Sequence, residues 1–449
     1  MVHDDANNLK HNLVLPTLLF ASLGAMSWAV RGCSGYGGSA GCLFAGVLWG
    51  AAWWFIAREP GPVQSRRYTS GWIILALCVG FYIAGGRGWA QWWTLYEGRL
   101  QTNASKNEFV DIAPIYGYAW VFLSAVPWAG IGACMLAWCG DAARPNNGKE
   151  WLLWIAKWIL RIGSGYVGAR LALYLFAEYP NVFLPIYGQI EDRYKDLVAN
   201  PNLRRMMNDN RSATMHLGLY LGFLMFEVLR RDWRNVTLIA TVGLINGVGW
   251  ALFMNFARVS AFGFNWWRVW ESSGGISIGI AYGVAYYLVN RPLNEAQGAQ
   301  LGDQLTDRWP NLERFGAYLG LLLGVLLSVR NGLKGWANIY LGNEDYWSSV
   351  FWRVIGPILI AAFVWLLGAT IRAAQLHRKP APVFPRAYAI TWAVLIVMNI
   401  LAQLVTSSPR HWTELVFAFY YLVLLGATGL IVHYYHLGHQ KTAKTDIGQ

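Results

Sequence analysis

One pattern occurs twice in this chain and constrains its fold more than any other feature. Residues 39–54 read SAGCLFAGVLWGAAWW and residues 272–287 read SSGGISIGIAYGVAYY. The copies align without a gap, and three glycines and three aromatic residues of each fall on equivalents in the other: Gly41, Gly46, Gly50, Trp49, Trp53 and Trp54 on Gly274, Gly279, Gly283, Tyr282, Tyr286 and Tyr287. Small residues four apart let membrane helices approach closely, so the pattern predicts two tightly packed membrane helices.

Two further matches accompany the pattern in the same order along the chain. A Trp-Ala pair at 28–29 returns at 250–251. A cation followed by Gly-Trp-Ala at 87–90 returns at 334–337. A two-fold internal repeat in an apolar chain is typical of many transporter folds, so we interpret the chain as a duplicated membrane protein.

The composition supports a membrane location. Only 13% of the 449 residues are charged, whereas soluble domains carry about 25%. A soluble fold of this size could not cover its exterior with polar groups. The net charge of +12 does not indicate nucleic-acid binding, because the basic residues form short clusters between apolar segments.

Apolar runs predict an all-α, polytopic helix bundle of about twelve spans, arranged as two six-helix repeats. Six spans per half make the repeats parallel, with a pseudo-two-fold axis along the membrane normal; a miscount by one would make them inverted. We expect a first repeat at 1–211 with outer loops at 89–112 and 178–211, a second at 212–434, and a tail at 435–449. The expected spans are 13–31, 39–57, 70–86, 114–139, 151–176, 213–229, 236–257, 273–289, 315–329, 350–371, 387–405 and 414–434.

The short loops predict the orientation. Arginines and lysines follow the second, fourth, sixth and tenth spans, so these loops and both termini should be cytoplasmic in the cell (inner or plasma) membrane. The first apolar run resembles a signal peptide, but it contains one member of the repeated Trp-Ala pair. We therefore expect it to be retained as a span.

The residue types that carry common catalytic and metal chemistry form no convincing site. The five cysteines include no CxxC pair, and four lie within apolar segments, where cysteine packs as a small hydrophobe. His433, His436 and His439 lack accompanying Cys or acidic ligands, so we expect a solvated tail there. We predict no catalytic residues, no metal and no cofactor.

Basic and aromatic residues cluster near the expected outer mouth, at the loops that precede or follow the repeated motifs. A glycine-rich turn at residues 31–38 could bind an anion, or could only allow close helix packing. Tryptophans at a membrane interface usually form an aromatic belt, but some could stack on a sugar or another flat ligand. The substrate-binding candidates are Arg31, Arg87, Trp89, Arg170, Trp250, Arg268, Glu271, Lys334 and Trp336.

Ionisable residues inside spans are a second class of candidates. Arg161 and Arg170 lie nine residues apart in the fifth span and should point to opposite faces, so they cannot jointly hold one small ligand. Either could be a structural pair or reach toward the interface. Glu227, at the end of the sixth span, should pair with Arg230 or Arg231.

These features favour a transporter of a small polar or anionic solute, such as a sugar or sugar acid, working by alternating access between the repeats. The alternative is a membrane-embedded enzyme that acts on a lipid-linked or glycan substrate at the outer face, with Glu97, Glu271, Glu344 or Asp345 as acid or base. A membrane scaffold or receptor is a third possibility. The partners expected are the lipid bilayer and the solute, with no nucleic acid.

Overall fold

The protein is described by a computed structural model. The structure describes residues 9–33, 38–58, 64–85, 93–140, 145, 147–261, 266–306, 309–375, 388–395, 397 and 418–433. This part of the chain is 84% helical, and six of its helices are long and apolar enough to cross a membrane. The prediction of an all-α membrane protein is confirmed at this level.

The helices vary widely in length, and one small hairpin is inserted after the fourth of them. They are α1 Leu15–Cys33, α2 Gly38–Ala57, α3 Trp72–Ala84, α4 Trp93–Tyr96, α5 Ile115–Cys139, α6 Gly148–Glu178, α7 Pro180–Phe183, α8 Glu191–Lys195, α9 Pro201–Leu229, α10 Trp233–Phe253, α11 Trp266–Val289, α12 Glu295–Leu301, α13 Pro310–Trp336, α14 Glu344–Val350 and α15 Gly356–Gln375. Strands β1 Arg99–Asn103 and β2 Glu108–Asp111 pair antiparallel. A further apolar helix covers Ala418–His433.

The helices of the two halves pack against one another throughout the core. Helix α1 lies against α11, α5 lies against α10, and α13 lies against both α2 and α3. Helices α6 and α9 pair with each other at the side of this core, through close contacts at Gly168, Gly218 and Gly222. The buried core is therefore shared between the first and second halves of the chain.

The glycines of the two motif copies let two different helix pairs approach closely. In α2, a Cβ on Gly46 or Gly50 would lie 2.6 Å from the Leu77 carbonyl oxygen or 2.7 Å from the Ile74 Cα of α3. In α11, a Cβ on Gly279 would overlap the Phe20 carbonyl of α1. Each copy thus serves close packing, as predicted, but with a different partner helix.

The aromatic residues of the two copies meet each other. Trp49 stacks on Tyr282 with ring centroids 6.1 Å apart, and Trp53 meets Tyr286 edge-on at 5.0 Å. Each of the four also donates one hydrogen bond to a main-chain carbonyl, at 2.9–3.1 Å. Trp49 therefore contacts its counterpart Tyr282, and Trp53 contacts its counterpart Tyr286. Equivalent positions of the two copies thus lie side by side, in parallel register.

The two polar excursions expected as outer loops are largely folded. The hairpin and α4 pack with α7, α8 and the N-terminal part of α9 around a small separate cluster that contains Leu100, Leu184 and Tyr194. Burial raises the pKa of the Tyr194 phenol, which stays neutral and donates to the Pro185 carbonyl. The excursions therefore form a cap on the end of the bundle.

Several helices extend beyond the spans expected from hydropathy, and the largest extension is in α9, which begins at Pro201 and not at residue 213. Helix α11 begins at Trp266, seven residues before the predicted start, so Arg268 and Glu271 lie on its first turns and not in a loop. Helix α13 runs to Trp336, which places Lys334 in its last turn. Hydropathy underestimates both ends because charged side chains interrupt the apolar run while the backbone remains helical.

Candidate functional site

A groove of about 520 Å³ opens at the arginine-rich end of the bundle. It lies between the N-terminal half of α6 on one side and α3, α5 and the start of α13 on the other. We call it the tryptophan groove, because six tryptophans line it: Trp72, Trp138, Trp151, Trp154, Trp158 and Trp309. Most of its surface is apolar, and we call the part formed by Arg58, Arg67, Ser70 and Glu313 its polar edge.

One wall of the groove is a single face of α6. Trp151, Trp154 and Trp158 are spaced three and four residues apart, so a helix carries them on one side. Trp151 stacks on Trp309 across the mouth, with centroids 6.3 Å apart, and Trp158 meets Trp138 of α5 edge-on at 5.4 Å. Because Trp151 and Trp309 are each 41% exposed, the groove is accessible from the side of the bundle.

A buried carboxylate fixes the polar edge of the groove. Glu313 of α13 is 3% exposed and accepts hydrogen bonds from the Ser70 hydroxyl at 2.6 Å and the Gly71 backbone N–H at 2.8 Å. These groups stand at the N-terminus of α3, where the helix dipole favours negative charge. Glu313 therefore holds the start of α13 against the start of α3, and the charge of Glu313 is compensated within the wall.

Three contacts hold the guanidinium of Arg67 in position at this edge. Its Nη2 pairs with Asp232 at 2.8 Å, its Nε donates to the Gly140 carbonyl at 3.3 Å, and its guanidinium lies 5.7 Å from the centre of the Tyr68 ring. The side chain is 18% exposed. A partly exposed guanidinium held in this way is pre-organised to bind an anion.

A buried ion pair lies behind the groove wall. Arg161 of α6 bonds to Glu227 of α9 through Nε and Oε1 at 2.8 Å, with side-chain exposures of 1% and 0%. The same guanidinium lies 5.7 Å from the ring centres of Trp138 and Trp158. The remaining oxygen of Glu227 binds Arg230 at 3.0 Å, which confirms the ion pair predicted between these two residues.

The ion pair belongs to a network that reaches both halves of the chain. The Asn235 amide donates to Glu227 at 3.1 Å, and the Tyr68 hydroxyl donates to the Asn235 side-chain oxygen at 2.7 Å. The Tyr68 N–H in turn donates to the Asn290 side chain at 2.9 Å. Removing one member of a buried ion pair leaves the other charge uncompensated, at a cost of about 3–5 kcal/mol. The network is accordingly structural, and it fixes Arg67 through the adjacent Tyr68.

The structure brings together three of the residues predicted to bind substrate, at the opposite end of the bundle. Arg268 and Glu271 are each 5% exposed on the first turns of α11. Trp250, which is 1% exposed, meets Trp270 edge-on at 5.6 Å. Trp28 and Trp128 complete this buried aromatic cluster.

The other predicted residues are separate from this cluster or outside the described part of the chain. Arg170 is exposed on α6. Lys334 forms an ion pair with Glu344, which is one of the carboxylates considered as a catalytic acid or base. Arg87 and Trp89 fall outside the described residues, and for Arg31 and Trp336 only the helical backbone is described.

The sequence interpretation missed the tryptophan groove, although one wall of it is visible in the sequence. Three tryptophans at 151, 154 and 158 lie on one helical face at the start of the fifth span, which is a recognisable stripe. The opposite wall comes from α3, α5 and α13, which are distant along the chain. Nothing in the local sequence indicates that these helices converge.

Cys139 of α5 is the cysteine that lines the tryptophan groove in the described part of the chain. Cys42, Cys78 and Cys134 do not line the groove and are buried, as expected for packing residues. Within the described residues, no group of three or more His, Cys, Asp or Glu side chains is placed to hold a metal ion. The groove thus offers aromatic surfaces, guanidinium groups and hydroxyls for binding.

Comparison with protein-family models, with curated proteins and with solved structures finds no match to this chain.

Proposed function

We propose that the protein is a multi-pass membrane transporter of an anionic solute that has a flat or extended apolar body. The observation that carries the proposal is the tryptophan groove, in which six indole rings line a cavity edged by Arg58 and Arg67. The volume of about 520 Å³ falls within the range of roughly 300–1,000 Å³ typical of small-molecule sites. This narrows the solute class from any polar or anionic compound to an amphiphilic anion.

The chemistry of the lining favours this class. Indole faces provide apolar stacking surfaces, and partly exposed guanidinium groups bind carboxylate or phosphate oxygens in bidentate geometry. Because Glu313 is already satisfied by Ser70 and Gly71, it adds little repulsion toward an anion at the edge. A purely polar sugar would leave most of the indole surface unused.

The contacts between the two motif copies support the transport part of the proposal. Trp49 contacts Tyr282, and Trp53 contacts Tyr286, so equivalent positions lie side by side in parallel register. Such contacts are expected between two parallel six-helix repeats related by an axis along the membrane normal, for about twelve spans in total. With the arginine-rich end and both termini in the cytoplasm of a cell (inner or plasma) membrane, the groove would open inward.

A specific observation keeps the enzyme alternative in place. Arg268 and Glu271 are buried together at the opposite end of the bundle, next to the aromatic cluster of Trp250 and Trp270. A buried carboxylate beside aromatic surfaces is a candidate acid or base for a lipid-linked or glycan substrate. Under this alternative, Glu271→Gln abolishes turnover and the tryptophan groove is not needed for it.

The test is uptake into proteoliposomes of two membrane-impermeant anions, phenyl glucuronide and free glucuronate. Both carry one carboxylate, but only the first has a flat apolar ring. We expect saturable uptake of phenyl glucuronide and a preference of about tenfold over glucuronate. Trp154→Ala or Trp158→Ala should lower the uptake by up to about tenfold, since one lost stacking contact is worth about 0.5–1.5 kcal/mol.

Trp365→Ala is the matched control, because Trp365 is 70% exposed on α15 and lies outside the groove. Equal uptake of the two anions, unchanged by both groove variants, would exclude the tryptophan groove as the binding site. Loss of all uptake in the control would instead point to a general effect on folding.

A further inference from the structure

A second cavity, of about 440 Å³, adjoins the tryptophan groove at Arg67. Four arginines line it against one aspartate: Arg67, Arg230, Arg231 and Arg234 against Asp232. Gln297 and Gln300 of α12 form the facing side. We call this cavity the basic pocket. Because Arg67 lines both cavities, the basic pocket and the largely apolar groove adjoin at this residue.

The carboxylates of the described residues compensate only part of the charge of these four arginines. Asp232 pairs with Arg67 at 2.8 Å, and Glu227 pairs with Arg230 at 3.0 Å. Among the residues that the structure describes, no carboxylate pairs with Arg231 or Arg234. The pocket therefore presents about two uncompensated guanidinium groups beside two that are already fixed in position. This excess of positive charge favours an anion that carries more than one negative charge.

The backbone of Arg231 indicates that the pocket is built and is not an accidental surface cluster. Helix α9 ends with two hydrogen bonds, from the Arg231 N–H to the Val228 carbonyl at 2.9 Å and from the Asp232 N–H to the Glu227 carbonyl at 3.1 Å. This arrangement requires a left-handed residue after the helix, where glycine is usual. Arg231 occupies the position with φ of 58°, which is unfavourable for a long side chain. Strain of this kind is found preferentially at functional sites.

The surrounding structure holds the pocket in shape. Asp232 also accepts a hydrogen bond from the Asn235 N–H at 3.2 Å, which caps α10, and Asn235 belongs to the buried network around Glu227. Arg234 lies in the first turn of α10, so the positive end of that helix dipole adds to the field of the guanidinium groups. Three elements distant in sequence therefore converge on one anion-binding surface.

We propose that the basic pocket binds the phosphate group of an acyl or prenyl phosphate whose chain lies in the tryptophan groove. The inference rests on the proposed function, because it names the head group of the amphiphilic anion assigned to the groove. A phosphate monoester carries about −1.5 to −2 charge at neutral pH and three acceptor oxygens, which matches the two uncompensated arginines. A carboxylate has one charge and would leave part of this field unsatisfied.

The experiment measures equilibrium binding to the full-length protein in phosphatidylcholine nanodiscs. The probes are dodecyl phosphate, laurate and inorganic phosphate, so that chain and head group are varied separately. The pocket variants are Arg231→Gly and Arg234→Gln. Glycine is the preferred residue at a left-handed helix end, so Arg231→Gly removes the charge without disturbing the fold. The control is Arg291→Gln, since Arg291 is exposed and stacks on Tyr287 outside the pocket.

We expect dodecyl phosphate to bind most tightly, and each pocket variant to raise its Kd by about tenfold, in line with a lost charged hydrogen bond. Laurate should bind more weakly than dodecyl phosphate, and the pocket variants should raise the Kd of laurate by a smaller factor. The control should match the wild-type protein.

Other outcomes overturn the inference in distinguishable ways. If laurate and dodecyl phosphate bind equally and only Trp154→Ala or Trp158→Ala weakens them, the phosphate assignment is wrong and the proposed function stands. If inorganic phosphate binds as tightly as dodecyl phosphate, the pocket is a site for free phosphate and the lipid assignment is wrong. If no probe binds, both the inference and the proposed function fail.

Discussion

The two copies of the repeated motif share one face and differ on the other. Their aromatic residues make the same kinds of contact. Trp49 and Tyr282 stack on each other, and each donates a hydrogen bond to a main-chain carbonyl of a neighbouring helix. Their glycines pack against different helices, because Gly50 contacts α3 whereas Gly279 contacts α1. The repeat therefore preserves the kind of contact that each position makes, but not the helix with which it is made.

This difference shows what an internal repeat constrains. The aromatic face lies where the two copies meet, so a change in one copy alters the surroundings of the other. The glycine face looks outward from that contact, and its partner depends on how the remaining helices are arranged. Substitutions on the two faces should therefore lower the free energy of unfolding by different amounts. The order of these losses tests the difference between the faces.

The largest effect is expected at the crossing of α1 and α11. A Cβ on Gly24 would overlap the Gly275 carbonyl, and a Cβ on Gly275 would overlap the Gly24 carbonyl. Because backbone meets backbone on both sides, Gly275→Val should lower the free energy of unfolding by about 3 kcal/mol or more. The measurement is unfolding by SDS titration of the purified protein. Gly163→Val is the control, since a Cβ there meets no atom within 4 Å.

A smaller effect is expected for the equivalent face of the first copy. In Gly50→Val the new side chain meets the Ile74 Cα at 2.7 Å, and α3 is a short helix of 13 residues. A short helix can shift as a unit more readily than a long one, so we expect a loss of about 1–3 kcal/mol in the same titration. A loss equal to or larger than that of Gly275→Val would contradict the proposed difference between the two glycine faces.

The sequence predicted the motif helices well because their evidence is local. Glycine spacing and apolar runs are readable within a single segment, and α5 at Ile115–Cys139 begins within one residue of the expected fourth span. The start of α11 and the end of α13 were missed because charged residues such as Arg268 and Lys334 lie on helical backbone that hydropathy treats as loop. Local composition does not record where a helix ends when its last turns are polar.

The candidate site was less predictable because it depends on tertiary convergence. Arg67 follows the second span, Asp232 precedes the seventh, and Glu313 opens the ninth, yet all three lie at one end of the bundle. The arginine clusters at this end are visible in the sequence, but we interpreted them only as signals of membrane orientation. Arg161 has a buried carboxylate partner, whereas no described residue supplies a carboxylate to Arg234, and the two arginines look the same in a sequence.

On the aromatic face, the removal of one hydroxyl should have a moderate effect. Tyr282 is fully buried and donates to the Ala129 carbonyl at 3.0 Å. Tyr282→Phe keeps the stacking on Trp49 and removes only this bond, so we expect a loss of about 1 kcal/mol. A double-mutant cycle with Trp49→Phe should give a coupling energy of about 0.5–1.5 kcal/mol, because the two rings are in contact. Additive losses would mean that the two copies do not support each other.

The smallest effect is expected at the third matched pair, where the two copies are least alike. Trp54 is buried, whereas its counterpart Tyr287 is only half-buried and lies beneath the Arg291 guanidinium, 3.6 Å from the ring centre. Among the described residues, none accepts a hydrogen bond from the Tyr287 hydroxyl. Tyr287→Phe keeps the ring under Arg291 and should change the free energy of unfolding by less than about 0.5 kcal/mol. A loss as large as that of Tyr282→Phe would mean that the aromatic face extends to all three matched positions, and that the two copies are more alike than their burial indicates.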